Sequence, residues 1–130
     1  MNIAIHFEIP VRDLARAIRF YEGVFEIALE RVQIDGNEMA LFPLFEGMAG
    51  CSGALARGDS YVPSLDGSRI YLTVADIELA MTRVLQRGGE SLYPITRVSD
   101  SIRVAEFKDP EGNRIALQEI ELSKVHALST

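Results

Sequence analysis

His6 and Glu8 stand two residues apart in the segment AIHFEIPV, where large apolar residues alternate with other types. Alternation with a period of two is typical of a strand with one apolar face, so His6 and Glu8 share the side opposite Ile5, Phe7 and Ile9. An imidazole beside a carboxylate can serve as a general base near neutral pH, with the carboxylate orienting the ring. We therefore take His6 and Glu8 as candidate catalytic residues. The alternative is a histidine that only hydrogen-bonds a polar neighbour.

Composition and charge exclude several classes of protein. The chain has 130 residues, the size of one domain, and carries a net charge of −6 with a pI of about 4.9. A nucleic acid would be repelled, and no apolar run is long enough to span a bilayer. Cys51 is the only cysteine, which excludes an internal disulfide and a thiolate metal cluster. Together with the absence of a signal peptide pattern, this predicts a protein of the reducing cytoplasm.

The segment after the first strand predicts a helix followed by a hairpin. Asp13 suits the N-cap position, and Gly23 suits the end of the helix. Two strand-like segments then flank Asp35-Gly36-Asn37, a sequence typical of a tight hairpin turn, and CSGALARG is interpreted as a third short strand. The apolar positions of the helix follow the spacing of one face: Leu14, Ala17, Ile18 and Tyr21.

The same pattern then repeats. Asp76 caps a second helix that ends at Gly88-Gly89, and 76 minus 13 is 63. Three further strands follow, so the chain reads βαβββ twice. The predicted fold class is α+β, with two βαβββ modules in a single domain. The expected boundaries are module 1 at about 1–57, a loop at 58–67, module 2 at 68–122 and a tail at 123–130.

The repeat also relates candidate site residues to one another. Adding 63 takes His6 to Arg69 and Glu8 to Tyr71, so we expect the four side chains to meet on a concave surface suited to a ligand. Arg69 is able to clamp a carboxylate or phosphate through two parallel hydrogen bonds. Two plainer alternatives are a solvated Arg69 and an ion pair between Arg69 and Glu8. Tyr61, in the loop between the modules, is expected to overhang the site or to serve only as linker.

Three segments resemble the vicinal oxygen chelate superfamily, which holds glyoxalases, extradiol dioxygenases and bleomycin resistance proteins. They are HFEIPVRDLARAIRFYEGVF, YLTVADIELAMTRVLQRGG and FKDPEGNRIALQE, and the resemblance extends from about Ile3 to Ile120. It implies an open, cup-shaped, eight-stranded mixed sheet flanked by helices, and it implies a homodimer. Such a fold does not fix an activity.

The resemblance also implies where a divalent metal would be held. Enzymes of this kind usually place a ligand on the first and last strand of each module, which here gives His6, Gly53, Arg69 and Ala116. Three of these four lack a suitable donor atom, so no cofactor is expected, although Ni, Zn, Fe or Mn is not excluded. A displaced site built from His6, Glu8 and Gln118 is the alternative.

Two functions remain open at this point. One is an enzyme of the lyase, isomerase or dioxygenase type, in which His6 moves a proton while Arg69 or Tyr71 stabilises developing charge. The other is a non-catalytic protein that sequesters an antibiotic or another drug. Both bind a small organic molecule, with Arg69, Tyr71, Gln118 and Tyr61 as the expected ligand-binding residues. The motif DPEGN is interpreted as turn chemistry.

Overall fold

The computed structural model describes residues 1–121, so the predicted tail at 123–130, including His126, lies outside the described part. The elements in chain order are β1 (His6–Pro10), α1 (Leu14–Phe25), β2 (Glu30–Ile34), β3 (Asn37–Leu41), β4 (Ser52–Arg57), β5 (Tyr71–Val74), α2 (Ile77–Gln86), β6 (Glu90–Arg97), β7 (Ile102–Lys108) and β8 (Arg114–Ile120). Within residues 1–121, none of the helices has both the length and the apolar character needed to cross a membrane.

The strands form two four-stranded mixed sheets of the same design. Their orders are β1-β4-β3-β2 and β5-β8-β7-β6. In each, the first strand of the module pairs in parallel with the last, and the remaining pairs are antiparallel. The predicted α+β fold with two βαβββ modules is confirmed. The eight strands are divided between two sheets rather than joined in one hydrogen-bonded sheet.

Both helices begin where the sequence predicts. The Asp13 carboxylate accepts a hydrogen bond from the backbone N–H of Arg16, and Asp76 accepts one from Leu79, each at 3.0 Å. These bonds satisfy amide groups that the first turn of a helix leaves without partners. The hairpin turn is also as predicted, with Asp35 and Gly36 both at positive φ.

The prediction that Gly23 ends the first helix is wrong. The helix continues to Phe25, and Glu26 adopts the left-handed conformation that closes it. Gly23 has a different role, because the Arg87 side chain crosses directly over it. A Cβ atom at position 23 would lie 1.9 Å from Arg87 Nε, so the close approach requires glycine or a moved arginine.

One buried core joins the two modules. Helices α1 and α2 pack against each other, and each packs on the strands of its own module. The core cluster takes residues from both helices and from the helix-facing side of both sheets. The Phe20 ring of α1 lies 5.7 Å from the Phe107 ring of β7, centroid to centroid. Ile5, expected on the apolar side of the first strand, instead precedes β1 and is 76% exposed.

The DPEGN turn between β7 and β8 locks module 2 onto module 1. Asp109 is buried, and its Oδ1 accepts hydrogen bonds from the backbone amides of Glu111, Gly112 and Asn113. Its Oδ2 accepts the Tyr21 hydroxyl of α1 at 2.6 Å. Asn113 donates to the Pro10 carbonyl at the end of β1. The predicted turn is confirmed. The same residues also hydrogen-bond module 1, which the turn interpretation did not include.

Glu111 makes further contacts between the modules. We call the contacts of Asp109, Glu111 and Asn113 with module 1 the clasp. Its carboxylate accepts the backbone N–H groups of Arg12 and Asp13 and a two-point contact from the Arg16 guanidinium. Burial raises the pKa of Glu111, but the hydrogen bonds from Arg16, Asp13 and Arg12 together outweigh burial and hold that pKa below its usual value. Burial, followed by the nearby charge of Asp109, raises the pKa of Tyr21 well above its usual value, so its hydroxyl remains a donor.

Substituting Tyr21→Phe is expected to destabilise the protein by about 1.5–3 kcal/mol, because it removes a hydrogen bond to a buried carboxylate. The free energy of unfolding in urea measures the loss. Tyr71→Phe, at a half-exposed tyrosine of β5, is the matched control and is expected to change little. Equal stability of the two variants would contradict the clasp.

The contribution of Glu111 to stability is expected to depend on pH in one direction. A carboxyl group whose pKa is lowered in the folded state stabilises that state above its usual pKa, about 4.5, and loses the contribution as the pH falls through the lowered value. The difference in unfolding free energy between wild type and Glu111→Gln should therefore shrink in acid. Glu26→Gln, at an exposed carboxylate, is the control. A difference that stays constant from neutral pH into acid would refute this expectation.

Candidate functional site

Each sheet has one side that packs on the helices and one side that does not. On the first sheet, Phe7, Ile9 and Leu55 face the core, and the residues between them face the other way. We call this second side the first open face. Its strand residues are His6, Glu8, Met39, Leu41, Ser52, Ala54 and Ala56.

His6 is held on the first open face by its Nδ1 atom. Nδ1 lies 2.7 Å from the Ser52 hydroxyl, and that hydroxyl donates to the Ile5 carbonyl oxygen at 3.2 Å. This contact fixes the orientation of the imidazole ring, and whether Nδ1 donates or accepts depends on the tautomer of His6. Nε2, the other ring nitrogen, lies 3.5 Å from Glu8 Oε2. The predicted pairing of an imidazole with a carboxylate is present.

Tyr61 lies over the first open face, which is one of the two alternatives that the sequence leaves open. Its ring packs against the small cluster formed by Met39, Ala54 and Ala56. Its hydroxyl donates to Glu8 Oε1 at 2.8 Å, and this hydrogen bond raises the pKa of Tyr61 above its usual value. Beside Tyr61 an open cleft of about 360 Å³ runs between Arg12 and Pro63. The loop that joins the modules therefore forms one wall of this cleft.

The second sheet has an open face of its own. Leu72, Phe107 and Leu117 face the core, and the alternate residues form what we call the second open face. Its strand residues are Tyr71, Thr73, Val104, Glu106, Lys108, Arg114, Ala116 and Gln118. Arg69, just before β5, joins them through its contact with Glu106.

A cluster of three charged residues dominates the second open face, and sequence reasoning found only one of them. Glu106 Oε1 lies 3.2 Å from Arg69 Nε and 2.5 Å from Arg114 Nε. The alternation of residue types in IRVAEFK and RIALQEI places Glu106 and Arg114 on this side. This alternation is the sequence signal from which both residues could have been predicted to lie on the open face. The pairing itself depends on the register of β7 with β8, which one sequence does not reveal.

Within this chain the two sets of candidate residues do not meet. His6, Glu8 and Tyr61 contact one another on the first open face, whereas Arg69, Tyr71 and Gln118 lie on the second. In residues 1–121, no side-chain hydrogen bond or ion pair joins one open face to the other. The two sheets share their helical sides in one core, so each open face lies outside that core.

Strand register corrects one of the four positions implied for a metal. Ala54 pairs with Glu8 just as Ala116 pairs with Tyr71, and 116 minus 54 is 62. Subtracting 63 led instead to Gly53. That glycine pairs with Phe7 on the helix-facing side, where a Cβ atom would strike the Phe7 ring.

The residues at these positions do not fit a divalent metal. The corrected set is His6, Ala54, Arg69 and Ala116, and only the imidazole is a metal ligand. No group of three or more His, Cys, Asp or Glu residues is arranged to hold a metal ion in the described residues. Gln118, proposed for a displaced site, lies on the other sheet from His6 and Glu8.

Comparison with protein families identifies the fold. The model of the Glyoxalase/Bleomycin resistance protein/Dioxygenase superfamily matches residues 3–117. The chain belongs to this superfamily. No curated protein sequence matches it.

Solved structures of this superfamily have the same fold. A glyoxalase family protein from Bacillus cereus is 22% identical, with a TM-score of 0.71 over 92% of this chain and 95% of that chain. A glyoxalase/bleomycin resistance protein from Albidiferax ferrireducens is 16% identical, with a TM-score of 0.68 over 91% and 98%. A genomically encoded fosfomycin resistance protein from Listeria monocytogenes is 19% identical, with a TM-score of 0.63 over 92% and 91%. At these identities the likeness concerns the fold alone.

Ionisation of Tyr61 reports its contact with Glu8. Because the hydrogen bond to Glu8 favours the neutral hydroxyl, Tyr61 should ionise at higher pH in the wild type than in Glu8→Gln. Titration of ¹³Cζ-labelled tyrosine followed by NMR gives both midpoints. Glu38→Gln, at a carboxylate of the same sheet paired with Arg57, is the control. The same midpoint in wild type and Glu8→Gln would mean that the contact is absent in solution.

Proposed function

We propose that this protein binds a small organic molecule on its open faces, and that it does so without the divalent metal usual in its superfamily. The observation that carries the proposal is the set of residues at the metal positions. Two alanines and an arginine replace ligands there, yet His6, Glu8 and Tyr61 remain assembled around the same place. Polar side chains converging on an otherwise apolar strand surface are typical of a ligand site.

In the enzymatic form of this proposal, His6 moves a proton through Nε2. Nδ1 is anchored to Ser52, so the ring keeps a fixed orientation. Glu8 lies close enough to Nε2 to interact with a protonated imidazole, and Tyr61 holds the other oxygen of that carboxylate. Arg69 or Tyr71 would stabilise negative charge that develops on the ligand. The reaction class is that of a lyase, isomerase or dioxygenase.

The alternative is a binding protein that sequesters an antibiotic or another drug without changing it. The net charge of −6 and the Glu8 carboxylate favour a cationic drug on the first open face. Such a protein needs neither a metal nor a base, so His6 would serve only as a contact. The two functions differ in whether the ligand is altered after binding.

We also propose that the working form is a homodimer in which the first open face of one copy lies against the second open face of its partner. Within one chain these faces do not meet. Strands β1 and β5 are each at the edge of their sheet and are available there. Exposed apolar side chains surround a shallow cleft of about 350 Å³ near the start of β1: Ile5, Leu44, Phe45 and Met48. The single cysteine is compatible with the reducing cytoplasm.

Thermal unfolding in the presence of small molecules tests the proposal. A panel of anionic, neutral and cationic compounds is screened against the wild type, His6→Ala and Tyr61→Ala. A true ligand at about 100 times its Kd stabilises the folded state by about 2.7 kcal/mol and should raise Tm by several degrees. Both variants should lose that rise, and mass spectrometry of the recovered compound tells turnover from sequestration.

Arg83→Gln is the matched control, because Arg83 pairs with Glu26 on the helical side, away from both open faces. A compound that stabilises all variants equally would contradict the proposed site. Elemental analysis of the dialysed protein tests the metal-free part. Stoichiometric Ni, Zn, Fe or Mn that is lost in His6→Ala would overturn it.

A further inference from the structure

Two arginines share one oxygen of a nearly buried carboxylate on the second open face. The Glu106 side chain is only 9% exposed, whereas those of Arg69 and Arg114 are 46% and 28% exposed. Both guanidinium groups approach Glu106 Oε1 through Nε. A carboxylate so enclosed requires a compensating cation, and one guanidinium would meet that need. The second positive charge is therefore in excess.

The outer ends of both guanidinium groups remain available. A guanidinium has five N–H donors. Arg114 uses its Nε–H in a hydrogen bond to Glu106, whereas Arg69 forms an ion pair with the same oxygen through Nε. In the described part of the chain, the Nη atoms of Arg69 and Arg114 make no hydrogen bond. The two guanidinium groups are partly exposed and contact Glu106 through Nε. Together with the Glu106 carboxylate they carry one net positive charge. Such donors match the oxygen atoms of a carboxylate or phosphoryl group.

The position of the cluster connects it with ligand binding. Arg69 repeats His6, and Arg114 repeats Ser52, because β8 corresponds to β4 with a shift of 62. The positions of His6 and Ser52 on the first open face are thus taken by Arg69 and Arg114 on the second. Glu106 lies in register with Ala116, itself in register with Tyr71. Glu106 of β7 therefore places a carboxylate beside Ala116, one of the positions implied for a metal ligand. Two arginines, rather than a metal ion, neutralise this carboxylate.

Neighbouring groups on the second open face also bear on its preference for an anion. Lys108 lies in register with Arg114, which adds a third cation to this face. Glu90 of β6 lies in register with Lys108 and offsets that charge at the far side. Tyr71 and Gln118 supply neutral hydrogen-bonding groups. The excess positive charge is therefore centred on Arg69 and Arg114.

We infer that Arg69 and Arg114, held by Glu106, bind an oxoanionic group of the ligand, such as a carboxylate, phosphate or phosphonate. This inference rests on the proposed function and names its ligand class. The overall charge of −6 opposes large polyanions at a distance, so the site selects a small anion. Arg114 and Glu106 become specificity-determining and positioning residues, respectively.

Isothermal titration calorimetry with oxalate and, separately, inorganic phosphate at low ionic strength tests the inference. Removing either guanidinium, as Arg69→Gln or Arg114→Gln, should weaken binding roughly tenfold or more, since each contributes charge-assisted hydrogen bonds. Arg83→Gln should bind as the wild type does. Equal anion affinity in the wild type and both arginine variants overturns the inference.

Glu106→Gln separates a binding cluster from one that serves structure alone. It keeps both guanidinium groups and an amide oxygen that can still hold them, but it removes the negative charge that competes with the anion. Binding of oxalate should become tighter even though thermal stability falls. Weaker binding in a variant that keeps its circular dichroism spectrum would contradict the charge arrangement described.

The outcomes also distinguish this inference from the proposed function. Suppose neutral or cationic compounds bind with a dependence on His6 and Tyr61, while oxalate and phosphate do not bind. The anion site is then wrong and the proposed function stands. If no compound of any charge binds to either face, both are wrong.

Discussion

The buried carboxylates of a single turn hold this molecule together. Asp109 and Glu111 belong to module 2 and accept hydrogen bonds from module 1. Their donors are the Tyr21 hydroxyl and the Arg16 guanidinium of α1 and the backbone amides of Arg12 and Asp13 just before it. Each module of about 60 residues would be only marginally stable alone, because so short a chain buries too little apolar surface. Packing α1 against α2 supplies the missing burial, and the clasp fixes how the modules sit. The side of each sheet that remains open is a consequence of that packing.

The two open faces share a backbone design but differ in chemistry. On the first, His6 and Ser52 occupy adjacent strands, and Glu8 and Tyr61 contact each other beside them. On the second, Arg69 and Arg114 take the corresponding places around Glu106. Duplicated strands thus present an imidazole beside a carboxylate on one face and two guanidinium groups around a carboxylate on the other. In the proposed dimer, a ligand between the two faces would have its anionic group at the arginines and its other end near His6.

Much of the fold can be predicted from the sequence because its signals are local. Asp13 and Asp76 cap helices through side chains three residues from the amides they serve, and Asp35-Gly36 specifies its own turn. Gly23 was misjudged because its neighbour, Arg87, is distant along the chain. The shift from 63 to 62, and with it Ala54, depends on strand register. Periodicity places His6 and Arg69 away from the helices, yet it cannot specify which surface each open face meets.

The clasp has no counterpart in the other half of the chain. The loop between β3 and β4, residues 42–51, is longer than the turn between β7 and β8, and its one carboxylate, Glu46, is exposed. Tyr21 corresponds to Val84. The two halves therefore share their strand order, whereas the buried carboxylates occur in only one of them. A chain assembled from two first halves would bury the Tyr21 phenol with no carboxylate to accept its proton. A chain assembled from two second halves would lose the Tyr21 hydroxyl and the Arg16 guanidinium as donors to Asp109 and Glu111. The two halves therefore complement each other, because the side-chain donors lie in the first half and the buried carboxylates that accept from them lie in the second.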